Sequence, residues 1–125
     1  MKNIIATEKA PGAIGPYSQA VRKGNLLITS GQLPIDMATG AFPEGIAAQT
    51  AASLTNCRSI LEAAGASLAD VIKTTVFLSD MNNFGAMNEV YKQFFTENYP
   101  ARSAVEVARL PKDALVEIEC IAVVD

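Results

Sequence analysis

The chain has 125 residues, of which 50% are hydrophobic and 18% charged, against about 25% charged in an average protein. A net charge of −3 leaves no broad basic surface to neutralise phosphates, which argues against a nucleic-acid partner. No apolar run approaches the ~18 residues of a membrane span, and two cysteines are too few for a disulfide-built secreted scaffold.

The length fits one domain over residues 1–125 with a real core, and the apolar surplus points to a surface covered by another subunit. The opening "MKNIIATEKAPG" carries Glu8 and Lys9 and has no apolar segment of the signal-peptide kind. A soluble, cytoplasmic protein is therefore expected. There is no histidine, which removes the usual general base, the imidazole triads and most zinc sites. Chemistry is left to Arg, Lys, carboxylates, Tyr, Ser, Cys and backbone groups, and neither a metal nor a cofactor is expected.

In chain order, Gln19–Arg22 and Leu26–Thr29 read as short strands joined by a turn at Lys23-Gly24-Asn25. A Gly- and Pro-containing loop follows from Gly31 to Gly45. Residues Ile46, Thr50, Leu54, Cys57, Leu61 and Ala64 recur at helical spacing before Gly65, which predicts a helix over 46–64 with Cys57 as a core thiol. "VIKTTVFLS" (Val71–Ser79) alternates like a strand. Phe84, Met87, Tyr91, Phe94 and Phe95 give a second helix over 83–96 its apolar side. The last stretch, "PARSAVEVARLPKDALVEIE" (100–119), reads as a β-hairpin turning through Leu110–Ala114, with Lys112 and Asp113 as turn surface. The order β, β, helix, β, helix, β, β predicts an α+β fold with both helices on one face of a mixed sheet. The other face is left bare for a partner.

Some residues suit chemistry as well as structure. "GAIGPYSQA" (12–20) places Tyr17 in a tight loop, where it is either a packing residue or a site residue. "ITSGQ" (28–32) offers the Ser30 hydroxyl and, at Gly31, close approach to the backbone. Arg102 presents a fork of donors suited to a carboxylate; alternatively it pairs with Glu106 or with a carboxylate on a neighbouring strand. Glu117 and Glu119 share one strand face, so either is a candidate acid–base group.

The segments "AIGPYSQA", "ITSGQLP", "KTTVFLSDMNNFGAMNEVY" and above all "PARSAVEVARLPKDALVEIE" resemble the RidA family, also called YjgF or L-PSP, in the same order over essentially the whole chain. The resemblance implies a chorismate-mutase-like fold and a homotrimer with ligand clefts between subunits. It also implies enamine/imine deaminase activity: hydrolysis of 2-aminoacrylate and related 2-imino acids, released by pyridoxal-phosphate enzymes, to 2-keto acids and ammonia. Carried over, Arg102 binds the substrate carboxylate and Glu117 positions the attacking water. Tyr17, Ser30, Gly31, Phe84, Asn88 and Ala104 line the pocket. Many members have Cys where this chain has Ala104, so hydrolysis here cannot require a thiol at that position. The main rival is a non-catalytic module binding small carboxylates or keto acids; ribonuclease or translation-inhibitor activity ranks lowest, given the acidic balance and the missing histidine.

Overall fold

The computed structural model describes residues 1–125. Strands β1 (Asn3–Ile5), β2 (Ala20–Lys23) and β3 (Leu26–Thr29) precede helix α1 (Ile46–Ala63). Strand β4 (Val71–Leu78), helix α2 (Phe84–Phe94), and strands β5 (Ala101–Glu106) and β6 (Val116–Val123) complete the chain. One six-stranded sheet has the order β1-β2-β3-β6-β4-β5, and its only parallel pair is β4 with β5. The α+β reading is correct. Strand β1 was not expected; its three residues carry too short a pattern to register. No helix is long and apolar enough to cross a membrane.

The expected hairpin over 100–119 does not form. β5 lies at the sheet edge, parallel to β4 with Arg102 opposite Thr74. β6 is inserted between β3 and β4 and runs antiparallel to both. Two features explain the outcome. Val116, Ile118, Cys120 and Ala122 are essentially inaccessible, so β6 needs a central position with neighbours on both sides, whereas β5 is largely exposed and suits an edge. In addition, α2 bridges β4 to β5 as a crossover, the connection that parallel pairing requires.

α1 and α2 pack together on the face carrying Leu27, Val76, Leu78, Val116 and Ile118, all fully buried. Burying each such side chain is worth roughly 1.5–3 kcal/mol. Thr50, Leu54, Cys57 and Leu61 of α1 are buried as their spacing predicts, and Gly65 follows with φ 81°, the left-handed conformation that ends a helix. Cys57 is indeed a core thiol, its Sγ donating to the Ile118 carbonyl at 3.5 Å; the adjoining Cys120 thiol and burial both push it well above its ordinary value, which leaves it inert. The opposite face of the sheet is uncovered. Leu26, Ile28 and Val105 are each more than 40% exposed there.

Ahead of β2, a buried glutamine organises the loop. Gln19 Oε1 accepts from the Thr7 amide at 2.6 Å, and its Nε2 donates to the carbonyls of Thr7, Ala10 and Pro11 at 3.0, 3.3 and 2.7 Å. This one side chain ties residues 7–11 to the start of β2 and fixes the path leading to Tyr17. Gln19→Ala should lower unfolding free energy by about 2–4 kcal/mol, because buried backbone groups lose their partners; urea denaturation followed by circular dichroism measures it.

Candidate functional site

The residues singled out from the sequence fall into two groups on opposite sides of the sheet. The first is built where β5 meets α2. Arg102 Nη1 donates to Asn88 Oδ1 at 2.6 Å, and the guanidinium carbon lies 4.7 Å from the Tyr91 ring centre and 5.3 Å from that of Phe84. Tyr91 is itself held, its hydroxyl 2.7 Å from Thr74 Oγ1. Burial raises the Tyr91 phenol above its ordinary value of 10.0, against the lowering effects of Thr74 and the Arg102 charge, so the ring is a neutral stacking platform.

Stacking and one hydrogen bond orient Arg102 while leaving most of its five donors unused. They face a cavity of about 450 Å³ lined by Asn88, Tyr91, Lys92, Tyr99, Pro100 and Arg102. The alternative pairing with Glu106 is not formed; that carboxylate accepts from the Met81 amide at 2.8 Å. Ala104, two residues along the same face of β5, packs against the core and lines neither this cavity nor the next.

The second group surrounds Glu117. The alternation of β6 sends Val116 and Ile118 into the core and Glu117 and Glu119 to the uncovered face. Glu117 sits opposite Phe77, and Glu119 opposite Thr75. A cavity of about 440 Å³ contains Glu117 together with Tyr17, Ser30, Gly31 and Gln32. Gly31 leaves room for the carboxylate: a Cβ there would lie 2.8 Å from Glu117 Oε2 and 2.9 Å from its Cδ, so a side chain at this position would displace Glu117. Ser30 uses its hydroxyl to donate to the Ser18 carbonyl at 2.6 Å, while its amide donates to the Gln19 carbonyl at 2.8 Å; it fastens the Tyr17 loop to the end of β3. Tyr17 is 51% exposed, so it is not a packing residue within this chain.

Burial raises the Glu117 carboxyl above the ordinary 4.5, and the neighbouring Glu119 charge adds to the effect. Such a group holds and releases protons closer to neutrality than a solvated carboxylate. No three His, Cys, Asp or Glu side chains converge as metal ligands.

Sequence reasoning missed Gln19, Gln32 and Lys112 as parts of this region. The two glutamines are buried, which no periodicity announces. Lys112 was read as turn surface, and it is exposed in a turn, but it also lines the Glu117 cavity.

Fold and site together define an α+β protein whose mixed sheet carries a guanidinium cavity on its helical face and a carboxylate cavity on its open face. The family model described as Endoribonuclease L-PSP matches residues 7–124. The chain is 58% identical over 127 residues to a RutC family protein of Haemophilus influenzae, covering 98% of both. It is 56% identical over 126 residues to the 2-iminobutanoate/2-iminopropanoate deaminase of Escherichia coli K12, again covering 98% of both. The crystal structure of E. coli TdcF with bound serine superposes with a TM-score of 0.95 at 53% identity, covering 98% of this chain and 99% of that one. The chain belongs to the RidA (YjgF/L-PSP) family.

Because burial outweighs the charge of Glu119, removing that charge should lower the Glu117 value only partway. A carbon-detected NMR titration should place the wild-type Glu117 midpoint above 4.5, with Glu119→Gln moving it down but not to the ordinary value. The sign also fixes stability. A carboxyl raised by folding favours the folded state while protonated, and that advantage is lost as pH rises through its folded value. Glu117→Gln should therefore be no less stable than wild type at neutral pH, measured by thermal melting.

Proposed function

We propose that this protein is an enamine/imine deaminase that hydrolyses 2-aminoacrylate and related 2-imino acids to 2-keto acids and ammonia, working as a cytoplasmic homotrimer. The observation that carries this reading is the full-length 56% identity to a protein named for that activity. The geometry supplies matching parts: an oriented guanidinium with free donors and a carboxylate of raised proton affinity.

2-Aminoacrylate tautomerises to 2-iminopropanoate as a proton moves from nitrogen to C3, and a 2-imino acid is electrophilic at C2, so neither a strong nucleophile nor a metal is needed. Arg102 holds the C1 carboxylate through its unused donors and so fixes C2. Glu117 accepts a proton from water as its oxygen bonds to C2, then passes that proton to nitrogen, giving a tetrahedral carbinolamine. The new hydroxyl gives up its proton by the same carboxylate to nitrogen; the C2–N bond breaks, the carbonyl forms and ammonia leaves. Positioning and proton transfer are the two contributions this chain makes. The serine bound in the related TdcF structure is a ligand of the same size and carboxylate chemistry. RNA cleavage fits less well, since the chain has no histidine and a net charge of −3.

Within one chain the Arg102 and Glu117 cavities share no residue and open on different faces. A complete site then requires two chains, Arg102 with Phe84 and Asn88 from one, and Glu117 with Tyr17, Ser30 and Gly31 from its neighbour. The exposed apolar residues on the open face, Leu26, Ile28 and Val105, favour such an assembly. Buried free thiols at Cys57 and Cys120 suit a reducing compartment.

Coupling the protein to a threonine dehydratase and following imine decay tests the activity. Arg102→Ala should abolish both turnover and 2-keto-acid binding, with Lys a poor replacement because it lacks the planar fork. Glu117→Gln should keep binding but lose turnover by ~10²-fold or more. Wild-type protein that binds 2-keto acids without accelerating imine decay is a binding module instead.

Sedimentation should show a trimer. Mixing inactive Arg102→Ala with inactive Tyr17→Ala under subunit exchange should restore activity in clefts that receive both intact residues. A fully active monomer, or no restoration despite proven exchange, excludes the shared site.

A further inference from the structure

Only two charged side chains line the 440 Å³ cavity on the open side of the sheet, Glu117 and Lys112. Lys112 and Asp113 are consecutive non-glycine residues in the left-handed region, with φ 55° and 57°, a conformation that persists only where the surroundings impose it. Those surroundings are identifiable. Pro111 enters the turn with its φ restricted by its ring, and the preceding Leu110 is buried. The Asp113 amide donates to the Leu110 carbonyl at 3.1 Å and the Ala114 amide to Pro111 at 3.2 Å. Arg109 Nε and Nη2 donate to the two Asp113 carboxylate oxygens at 2.8 and 3.3 Å.

The last contact has a second effect. It occupies the one acid adjacent to Lys112, whose own ammonium forms neither a salt bridge nor a hydrogen bond. A strained turn thus presents an uncommitted cation in the lining of the cavity that holds Glu117.

We infer that Lys112 is a specificity residue, which admits 2-imino and 2-keto acids bearing a second carboxylate on the side chain. This rests on the proposed reading in which Arg102 takes the C1 carboxylate. A second carboxylate entering the cavity meets Glu117 directly, and like charges at short range repel. Lys112 is the cavity's only countercharge. Small aliphatic side chains need no such partner and meet Ile14, Leu33 and Ile35 on the same walls.

The test compares binding of 2-oxoglutarate and 2-oxobutanoate by isothermal titration to the full-length protein and its variants. Lys112→Asn removes the charge but tolerates the left-handed backbone, and an unchanged melting curve verifies the fold. It should weaken 2-oxoglutarate about tenfold more than 2-oxobutanoate, the scale of one charge-assisted hydrogen bond, and Lys112→Arg should preserve the wild-type ratio. An unchanged ratio in Lys112→Asn, or wild-type protein that binds 2-oxobutanoate but not 2-oxoglutarate, overturns the inference. The deaminase reading fails separately. Wild-type protein that leaves imine decay unaccelerated, yet shows the Lys112-dependent ratio, loses the activity and keeps the selectivity.

Discussion

Along β6, every second side chain enters a core that excludes water, and this period of two is the constraint on which the rest depends. Val116, Ile118, Cys120 and Ala122 are inaccessible, which forces the strand into the middle of the sheet. Their alternates, Glu117 and Glu119, are driven to the face without helices. A slip of one residue would bury both carboxylates and expose the core set, at a cost no local contact offsets. The same register brings Glu117 over Gly31, where the absence of a side chain leaves room for the carboxylate.

The guanidinium side of the protein is held differently. Arg102 stands on an edge strand, where the backbone alone gives little rigidity. Its orientation comes from helix α2, through Asn88, Phe84 and Tyr91, with Tyr91 fixed in turn by Thr74 of β4. Thr74 lies directly across the parallel pair from Arg102. Strand, crossover helix and returning strand therefore form one unit that aims a cation, and the aromatic platform both packs and orients it.

These devices point to opposite sides of the sheet, and this separation gives the uncovered face a chemical meaning as well as an energetic one. An apolar surface with Leu26, Ile28 and Val105 exposed favours association for hydrophobic reasons. Association between copies is also the arrangement that completes the proposed site. In that proposal, stability and function draw on the same contact.

The sequence by itself determined the types of the longer elements. Helical spacing from Ile46 to Ala64, alternation in "VIKTTVFLS" and the placement of Gly65 are local signals, since they arise from 3.6- and 2-residue periods within one segment. Their outcome matches the structure to within a residue or two. The same alternation put Glu117 and Glu119 on one face, and "PARSAVEVARLPKDALVEIE" carried the family.

Tertiary structure alone decided that β5 and β6 are not partners. The alternation in each strand fits a hairpin equally well, and the choice depends on how much apolar surface each must bury against distant elements. It also decided that Gln19 is an internal anchor, that Arg102 pairs with Asn88 instead of Glu106, and that Lys112 shares a cavity with Glu117. A polar side chain's partners lie far along the chain, twelve residues from Gln19 to Thr7 and fourteen from Arg102 to Asn88. No local period encodes a contact made by folding over such distances.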